Sequence, residues 1–213
     1  MTEITPKKID RIDRENMREL LVQFPNQWEE AMKFTQNIDL NIDKNKIKTI
    51  CLAGMGGSAI GADLIRTFSY NQCSKPIKVV RHYNIPGWVD GNTLFITCSY
   101  SGNTEETRSA FRQAREKGAQ IIVVTSGGKL LVEASENDID YIKIPGGLPP
   151  RAALAYSFVP LYRIFERLGF IEKDNEALED TARFLQHQGD LLADLNESEA
   201  ASMASDIAET LPI

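Results

Sequence analysis

The middle of the chain alternates between short apolar runs and longer segments with a helical period. The apolar runs are rich in β-forming residues and predict five strands, at residues 47–53, 77–83, 92–98, 119–126 and 140–144. Segments of helical period, at 58–68, 104–118 and 128–137, separate several of them. Almost entirely apolar strands are typical of a parallel sheet that helices cover on both faces. The pattern therefore predicts an α/β domain with a five-stranded, doubly wound parallel sheet.

Helical segments flank this domain on both sides. Residues 10–36 predict two polar helices broken near Pro25, and a further helix follows the proline-rich loop before residue 151. Residues 173–210 are polar and helical in period. The prediction is an N-terminal helical segment at 1–45, the α/β domain at 46–170 and C-terminal helices at 171–213.

Composition and charge exclude several classes of protein. The 213 residues are 42% hydrophobic and 25% charged, as in an ordinary soluble protein, and the net charge of −6 argues against nucleic acid or anionic membranes as partners. No apolar run approaches the roughly 18 residues of a membrane span, and the N-terminus lacks the apolar core of a secretory signal. Cys51, Cys73 and Cys98 have no C-x-x-C spacing, and the two histidines are far apart. We expect a cytoplasmic protein without disulfides or a metal site.

A glycine-rich turn follows the first predicted strand. Gly54, Gly56 and Ala59 fit the pattern G-x-G-x-x-A of dinucleotide sites. Such a site also needs an acidic residue about 20 positions further on, at the end of the second strand. Arg81, His82 and Tyr83 stand there instead, and no lysine follows the glycines as in a P-loop. Because a tight turn alone does not need four glycines, we favour a ligand-binding role for this segment.

A second turn, "SYSGNTEET" at residues 99–107, is rich in hydroxyl groups and leads into a predicted helix. Unpaired N–H groups and the helix dipole make a helix N-terminus favourable for phosphate. The hydroxyls of Ser99, Ser101 and Thr104 can each add a hydrogen bond to a phosphate oxygen, and Gly102 lets the backbone approach closely. A capping box with Asn103 as N-cap and Glu106 three residues later is the structural interpretation that we favour for Glu106.

These two turns, together with the segment "GGLPPRAALAY", resemble a known family. The chain is similar to the N-terminal half of the bifunctional phosphoglucose/phosphomannose isomerases, which are built from sugar isomerase (SIS) domains. The resemblance covers about residues 46–170, and it implies three roles. Ser99, Ser101 and Thr104 would bind the phosphate of the sugar. The glycine turn, at Gly56, Gly57 and Ser58, would line the sugar site, and Arg151 would sit over the reacting carbons.

The chemistry of an aldose–ketose isomerase agrees with the role that the resemblance implies for Arg151. Such a reaction passes through a cis-enediolate, and a fixed guanidinium stabilises its developing oxyanion. The structural alternative is a solvated helix N-terminus or a salt bridge, although the helix dipole disfavours a cation in the first turn. His82 follows a strand end and can line the cleft, whereas His187 lies on a polar helix and is expected to be exposed.

The resemblance also implies what this chain lacks. Family members carry two SIS domains, and the proton-transferring base, a ring-opening histidine and a late lysine belong to the second. The last residues, "IAETLPI", look like the approach to that domain. We therefore expect this chain to bind a sugar phosphate without turning it over, and to form a homodimer through the vacated surface.

The full enzyme would interconvert glucose 6-phosphate and mannose 6-phosphate with fructose 6-phosphate, in carbohydrate metabolism and without a cofactor. A non-catalytic, regulatory phosphosugar-binding module is the alternative. A dinucleotide-dependent oxidoreductase is disfavoured by the missing acidic residue after the second strand.

Overall fold

The computed structural model describes residues 5–195 and 197–207. The chain divides into two compact units. One is drawn from both ends of the chain, Met1–Glu29 and Asp174–Ile213, and the other is Glu30–Lys173. The predicted approach to a second domain, at the end of the chain, lies largely outside the described residues.

The larger unit is built on a five-stranded sheet in which every neighbouring pair of strands is parallel. The strand order is β2-β1-β3-β4-β5, with the bounds β1 Thr49–Gly54, β2 Ile77–Val80, β3 Thr93–Ser99, β4 Gln120–Thr125 and β5 Asp140–Lys143. This confirms the predicted fold class. Strand β2 ends at Val80, so Arg81, His82 and Tyr83 lie in the loop that follows it.

Nine α-helices lie within the described residues. They are α1 Pro6–Ile12, α2 Met17–Val22, α3 Phe24–Thr35, α4 Gly56–Phe68, α5 Glu105–Glu116, α6 Gly128–Ser135, α7 Leu154–Leu168, α8 Asn175–Ala193 and α9 Glu199–Ile207. The predicted break near Pro25 is confirmed, because α2 ends at Val22 and α3 begins at Phe24, and the further helix α1 precedes them. Pro25 is the second residue of α3, where a proline loses no intrahelical hydrogen bond and helps to start the helix.

The core of the larger unit lies on both faces of the sheet. All seven residues of β3 are buried. One face packs Phe95 against Phe111 and Ala114 of α5 and against Leu130 of α6. Helix α4 contacts β1 and also packs closely on α7. There a Cβ atom on Gly61 would lie 3.0 Å from the carbonyl oxygen of Ser157, so this pair of helices depends on a small residue.

The strand order fixes where a ligand can reach the sheet. Strands β1 and β3 are neighbours, but the chain proceeds from them toward opposite edges of the sheet, which leaves a crevice at their carboxyl ends. Gly54 of β1 stands opposite Cys98 of β3 in the parallel register. The glycine turn and the hydroxyl-rich turn therefore begin at the same level, on the two sides of this crevice.

The smaller unit contains α1, α2, α8 and α9. A groove of about 840 Å³ runs between these helices, and its lining includes Ile9, Ile12, Leu21, Leu185 and Leu192. Among the described residues, no helix combines the length and apolarity that a membrane crossing needs.

Candidate functional site

The hydroxyl loop, residues 99–104, connects β3 to α5 and is held together by its own side chains. The Ser99 hydroxyl donates to Oγ1 of Thr104 at 3.1 Å and accepts the N–H of Gly102 at 3.1 Å. Oγ of Ser101 accepts the N–H of Asn103 at 3.2 Å. Ser99 is buried, whereas Ser101 is exposed and Thr104 is half-buried. The three hydroxyls predicted to bind phosphate therefore lie in one short turn, and Ser99 also fixes its shape.

The capping box predicted at Asn103 and Glu106 was wrong. Thr104 is the N-cap of α5, Glu106 is the second helical residue, and the Thr104 side chain makes no capping hydrogen bond. Asn103 faces the next helix instead, where its Oδ1 accepts the N–H of Lys129 at 3.1 Å. The backbone of the loop also supplies an acceptor to the first turn of α6, because the carbonyl of Gly102 accepts the N–H of Leu130 at 2.9 Å.

The two neighbouring helix N-termini therefore differ. The hydroxyl loop supplies acceptors to the first turn of α6. The first turn of α5 has no side-chain cap, and three hydroxyls lie just before it. Helix N–H groups without an acceptor attract an anion, so α5 offers the more favourable position.

Two glycines allow the hydroxyl loop to approach the turn after β4. A Cβ atom on Gly102 would overlap the carbonyl oxygen of Gly127, and one on Gly128 would overlap the carbonyl oxygen of Ser101. Both glycines also have positive φ angles, +67° and +70°. Only glycine satisfies both conditions, so the contact between the two turns is encoded at these positions.

The glycine turn has steric reasons for its composition, which weakens the argument that its glycines indicate ligand binding. Gly56 has a φ of +51°. A Cβ atom on Gly54 would lie 3.1 Å from the carbonyl oxygen of Cys98, and one on Gly57 would lie 2.8 Å from the carbonyl oxygen of Pro150. The positive φ thus accounts for Gly56, and close contacts with distant backbone account for Gly54 and Gly57.

Backbone contacts place Ser58 and the segment that contains Arg151 beside this crevice. Oγ of Ser58 accepts the N–H of Tyr100 at 3.1 Å, which ties the glycine turn to the hydroxyl loop. Arg151 is exposed and lies in a 3-10 turn, Pro150–Ala152, that precedes α7. It therefore lies outside the first turn of α7, so the helix dipole gives no argument against a solvated position for this side chain. The contact between Pro150 and Gly57 brings the Arg151 segment beside the glycine turn.

The remaining acid–base candidates are spread around the site. Glu105 accepts a hydrogen bond from the Tyr83 hydroxyl at 3.4 Å, and the charge of Glu106 is the largest cause that raises the pKa of Tyr83. His82 is exposed in the loop after β2, and His187 is exposed on α8 as predicted. No group of three or more His, Cys, Asp or Glu side chains among the described residues is arranged to hold a metal ion.

The three cysteines are free thiols. Cys51 and Cys98 are buried in β1 and β3, and burial raises the pKa of each thiol to about 12. Neither forms an appreciable amount of thiolate near neutral pH, so neither is a suitable nucleophile.

The sequence analysis missed three residues that connect the turns of the site. Oγ of Ser126 donates to the carbonyl oxygen of Tyr100 at 2.6 Å. The N–H of Leu148 donates to the phenol oxygen of Tyr100 at 3.0 Å. A signal was present in "TSGG" at 125–128, where a hydroxyl-rich, glycine-rich turn again joins a strand to a helix. The role of Tyr100 had no signal in the sequence.

The fold and these turns define a doubly wound α/β domain with a polar crevice between the carboxyl ends of β1 and β3. A model of the SIS domain matches residues 45–158, and the chain belongs to the SIS domain family.

Relatives of the chain confirm the resemblance found in the sequence. A bifunctional phosphoglucose/phosphomannose isomerase of Caldicellulosiruptor bescii is 46% identical over 169 residues, which are 79% of this chain and 50% of that protein. Another, of Thermoplasma acidophilum, is 43% identical over 155 residues, which are 73% of this chain and 46% of that protein. The chain thus spans about half the length of the curated relatives it matches.

A solved structure agrees with the fold. The C-terminal domain of glucosamine-fructose-6-phosphate aminotransferase from Francisella tularensis has a TM-score of 0.62 over 88% of this chain and 56% of that chain. The two sequences are 15% identical, so the likeness concerns the fold.

We predict that Gly102→Ala destabilises the larger unit more than Gly118→Ala does. Both glycines have a positive φ, at +67° and +72°, which costs an alanine about 1–2 kcal/mol. No atom lies within 4 Å of the position of a Cβ on Gly118, whereas at Gly102 the added methyl group would also meet the Gly127 carbonyl. We expect Gly102→Ala to lower the free energy of unfolding by about 1–3 kcal/mol more, measured by urea denaturation. Equal losses in the two variants would contradict the close approach of the two turns.

Proposed function

We propose that this chain is the phosphosugar-binding part of a glucose-6-phosphate/mannose-6-phosphate isomerase. The complete enzyme interconverts both aldoses with fructose 6-phosphate. One enediolate serves both reactions, because glucose and mannose differ only at C2. The names of the relatives and the polar crevice at the carboxyl edge of the sheet support this proposal.

The observation that carries the proposal is the uncapped N-terminus of α5. The phosphate of the sugar binds there, to first-turn N–H groups and to the hydroxyls of Ser99, Ser101 and Thr104. The net charge of −6 makes such a local donor cluster necessary, because the whole molecule repels an anion. The sugar then extends toward Gly56, Gly57 and Ser58 across the crevice between β1 and β3.

Arg151 stabilises the reacting end of the sugar in this proposal. Its segment lies against Gly57, on the opposite side of the crevice from the hydroxyl loop. A guanidinium held beside C1 and C2 would lower the energy of the enediolate, on which negative charge develops. Neither a metal ion nor a nucleotide is required for this chemistry.

The chain alone does not catalyse the isomerisation in our proposal. Among the described residues near the crevice, Glu105 and Glu106 lie on the phosphate side, which is the wrong end of a six-carbon substrate for proton transfer between C1 and C2. A general base contributes roughly 10²–10⁴-fold to such a reaction. We infer that this base belongs to another part of the complete enzyme.

A homodimer is the second part of this proposal. Ile60, Leu64 and Phe68 are four residues apart on α4, so they lie on one face of the helix, and they are 48%, 42% and 47% exposed. A continuous apolar stripe of this kind favours burial against another protein surface. A twofold-symmetric contact between two copies of α4 would cover it.

Replacing Ser99 and Ser101 together by alanine should weaken the binding of fructose 6-phosphate and of inorganic phosphate by about tenfold or more. The change removes two hydrogen bonds to a charged group, each worth about 1.5–3 kcal/mol. Isothermal titration calorimetry measures both affinities. The matched control is Ser74→Ala with Ser135→Ala, two exposed serines at the opposite edge of the sheet. An affinity change of less than about threefold in the test variant would reject the phosphate site.

In a full-length enzyme that contains this chain, Arg151→Lys should lower kcat roughly 100-fold or more with little change in KM. Lysine keeps the positive charge but loses the planar fork that two enediolate oxygens require. Steady-state kinetics with each aldose measures the effect, with Arg115→Lys on the exposed side of α5 as the control. If KM rises strongly while kcat is unchanged, Arg151 binds the ground state instead.

The purified 213-residue chain should show no isomerase turnover and a mass above 23.8 kDa. A coupled assay with each of the three hexose phosphates tests the first expectation, and light scattering tests the second. Robust turnover would place the base within this chain and direct attention to His82, Glu105 and Glu106. A monomer would reject the homodimer and leave the catalytic argument unchanged, and Leu64→Asp should produce that monomer if the α4 stripe is the interface.

A further inference from the structure

Tyr100 connects the hydroxyl loop to three other turns at the carboxyl edge of the sheet. Its N–H donates to Oγ of Ser58 in the glycine turn at 3.1 Å. Its carbonyl accepts from Ser126, after β4, through the hydroxyl at 2.6 Å and the N–H at 3.1 Å. Its phenol oxygen accepts the N–H of Leu148, in the loop after β5, at 3.0 Å. A single residue thus joins the first turn of α4, which follows β1, to the loops that follow β3, β4 and β5.

Only one of these links depends on the tyrosine side chain. The bonds to Ser58 and Ser126 use the backbone of residue 100, and any residue type can make them. The bond to Leu148 requires an acceptor at the end of a long side chain. Burial raises the pKa of the Tyr100 phenol above its usual value and outweighs the opposing effect of the hydrogen bond from Leu148. The group is therefore a neutral phenol near neutral pH.

The link to Leu148 acts on a stiff segment. Leu148 is followed by Pro149, Pro150 and Arg151. The ring of each proline fixes its φ angle near −65°, so few rotations separate the Leu148 amide from the start of Arg151. On the far side of this segment, the Pro150 carbonyl packs against Gly57. The phenol of Tyr100 and the backbone of Gly57 together hold the Arg151 segment from two sides.

We propose that Tyr100 is a positioning residue that holds the Arg151 segment in a fixed place relative to the hydroxyl loop. The inference rests on the proposed function, in which the hydroxyl loop binds the phosphate and Arg151 serves the reacting carbons. Phosphate binding uses the backbone and hydroxyls of the loop and does not need the phenol. The phenol affects only the position of Arg151, which serves the reacting carbons. Its loss should therefore weaken binding at that end of the substrate and leave phosphate binding unchanged.

The test compares two anions on the 213-residue chain. Inorganic phosphate probes the hydroxyl loop alone. 5-Phospho-D-arabinonate carries, besides its phosphate, a carboxylate where the enediolate oxygens would form, and it probes the loop and Arg151 together. Tyr100→Phe keeps the ring and deletes the bond to Leu148. The control is Tyr141→Phe, on β5, where the tyrosine is 46% exposed.

We expect Tyr100→Phe to lower the affinity for 5-phospho-D-arabinonate by about 3–10-fold, which corresponds to the loss of one neutral hydrogen bond. The affinity for inorganic phosphate should fall by less than about twofold. Amide hydrogen exchange of Leu148 should become faster in this variant and stay unchanged in Tyr141→Phe. The losses from Tyr100→Phe and Arg151→Lys should be less than additive in the double variant, since both act through the same guanidinium.

Three outcomes would overturn the inference while the phosphate site stands. They are an equal loss of affinity for both anions in Tyr100→Phe, an unchanged amide exchange rate at Leu148, or affinity losses that are fully additive with those of Arg151→Lys. A wild-type chain that binds neither anion would instead refute the proposed phosphate site. In that case Leu148 exchange still decides whether the phenol holds the loop, and a rate unaffected by Tyr100→Phe would reject the inference as well.

Discussion

The close approach of two backbones governs the candidate site. The hydroxyl loop lies so near to the turn after β4 that Gly102 and Gly128 have no room for a side chain. This proximity brings the Gly102 carbonyl and the Asn103 side chain to the first N–H groups of α6. The first N–H groups of α6 are thereby satisfied within the protein, whereas the first turn of α5 has no side-chain cap. The close approach at Gly102 and Gly128 is what makes these two adjacent helix N-termini different.

The sheet topology determines which turns can cooperate. In the order β2-β1-β3-β4-β5, the turns after β1 and β3 flank the point where the chain changes direction. Both turns and the segment that precedes α7 contact one another there, because the Tyr100 N–H donates to Ser58 Oγ and the Pro150 carbonyl lies against Gly57. The family's chemistry is proposed for this crevice, and its walls belong to segments distant in sequence. Rigid strand ends, more than the loops themselves, set the separation of these groups.

Much of the fold could be predicted from the sequence, because strand and helix periods are local properties. The five strands and the stop of α5 before Gly118, whose φ is +72°, followed from such patterns. Asn103 was misassigned because its partner, Lys129, is remote in sequence. The steric reasons for Gly54 and Gly57 could not be predicted, because their close neighbours, Cys98 and Pro150, are also remote in sequence. Local sequence patterns do not predict the role of a residue whose position is set by a contact with a distant part of the chain.

The unequal burial of the three thiols makes the natural chain suitable for site-selective labelling. Cys51 and Cys98 are closed off within the sheet, whereas Cys73 is partly exposed between α4 and β2. That segment enters β2 at the amino edge of the sheet, opposite the crevice. A maleimide fluorophore would therefore attach to one place without mutagenesis and without obstructing a ligand. Distances from that dye to a second probe would then report on partners that approach the carboxyl edge.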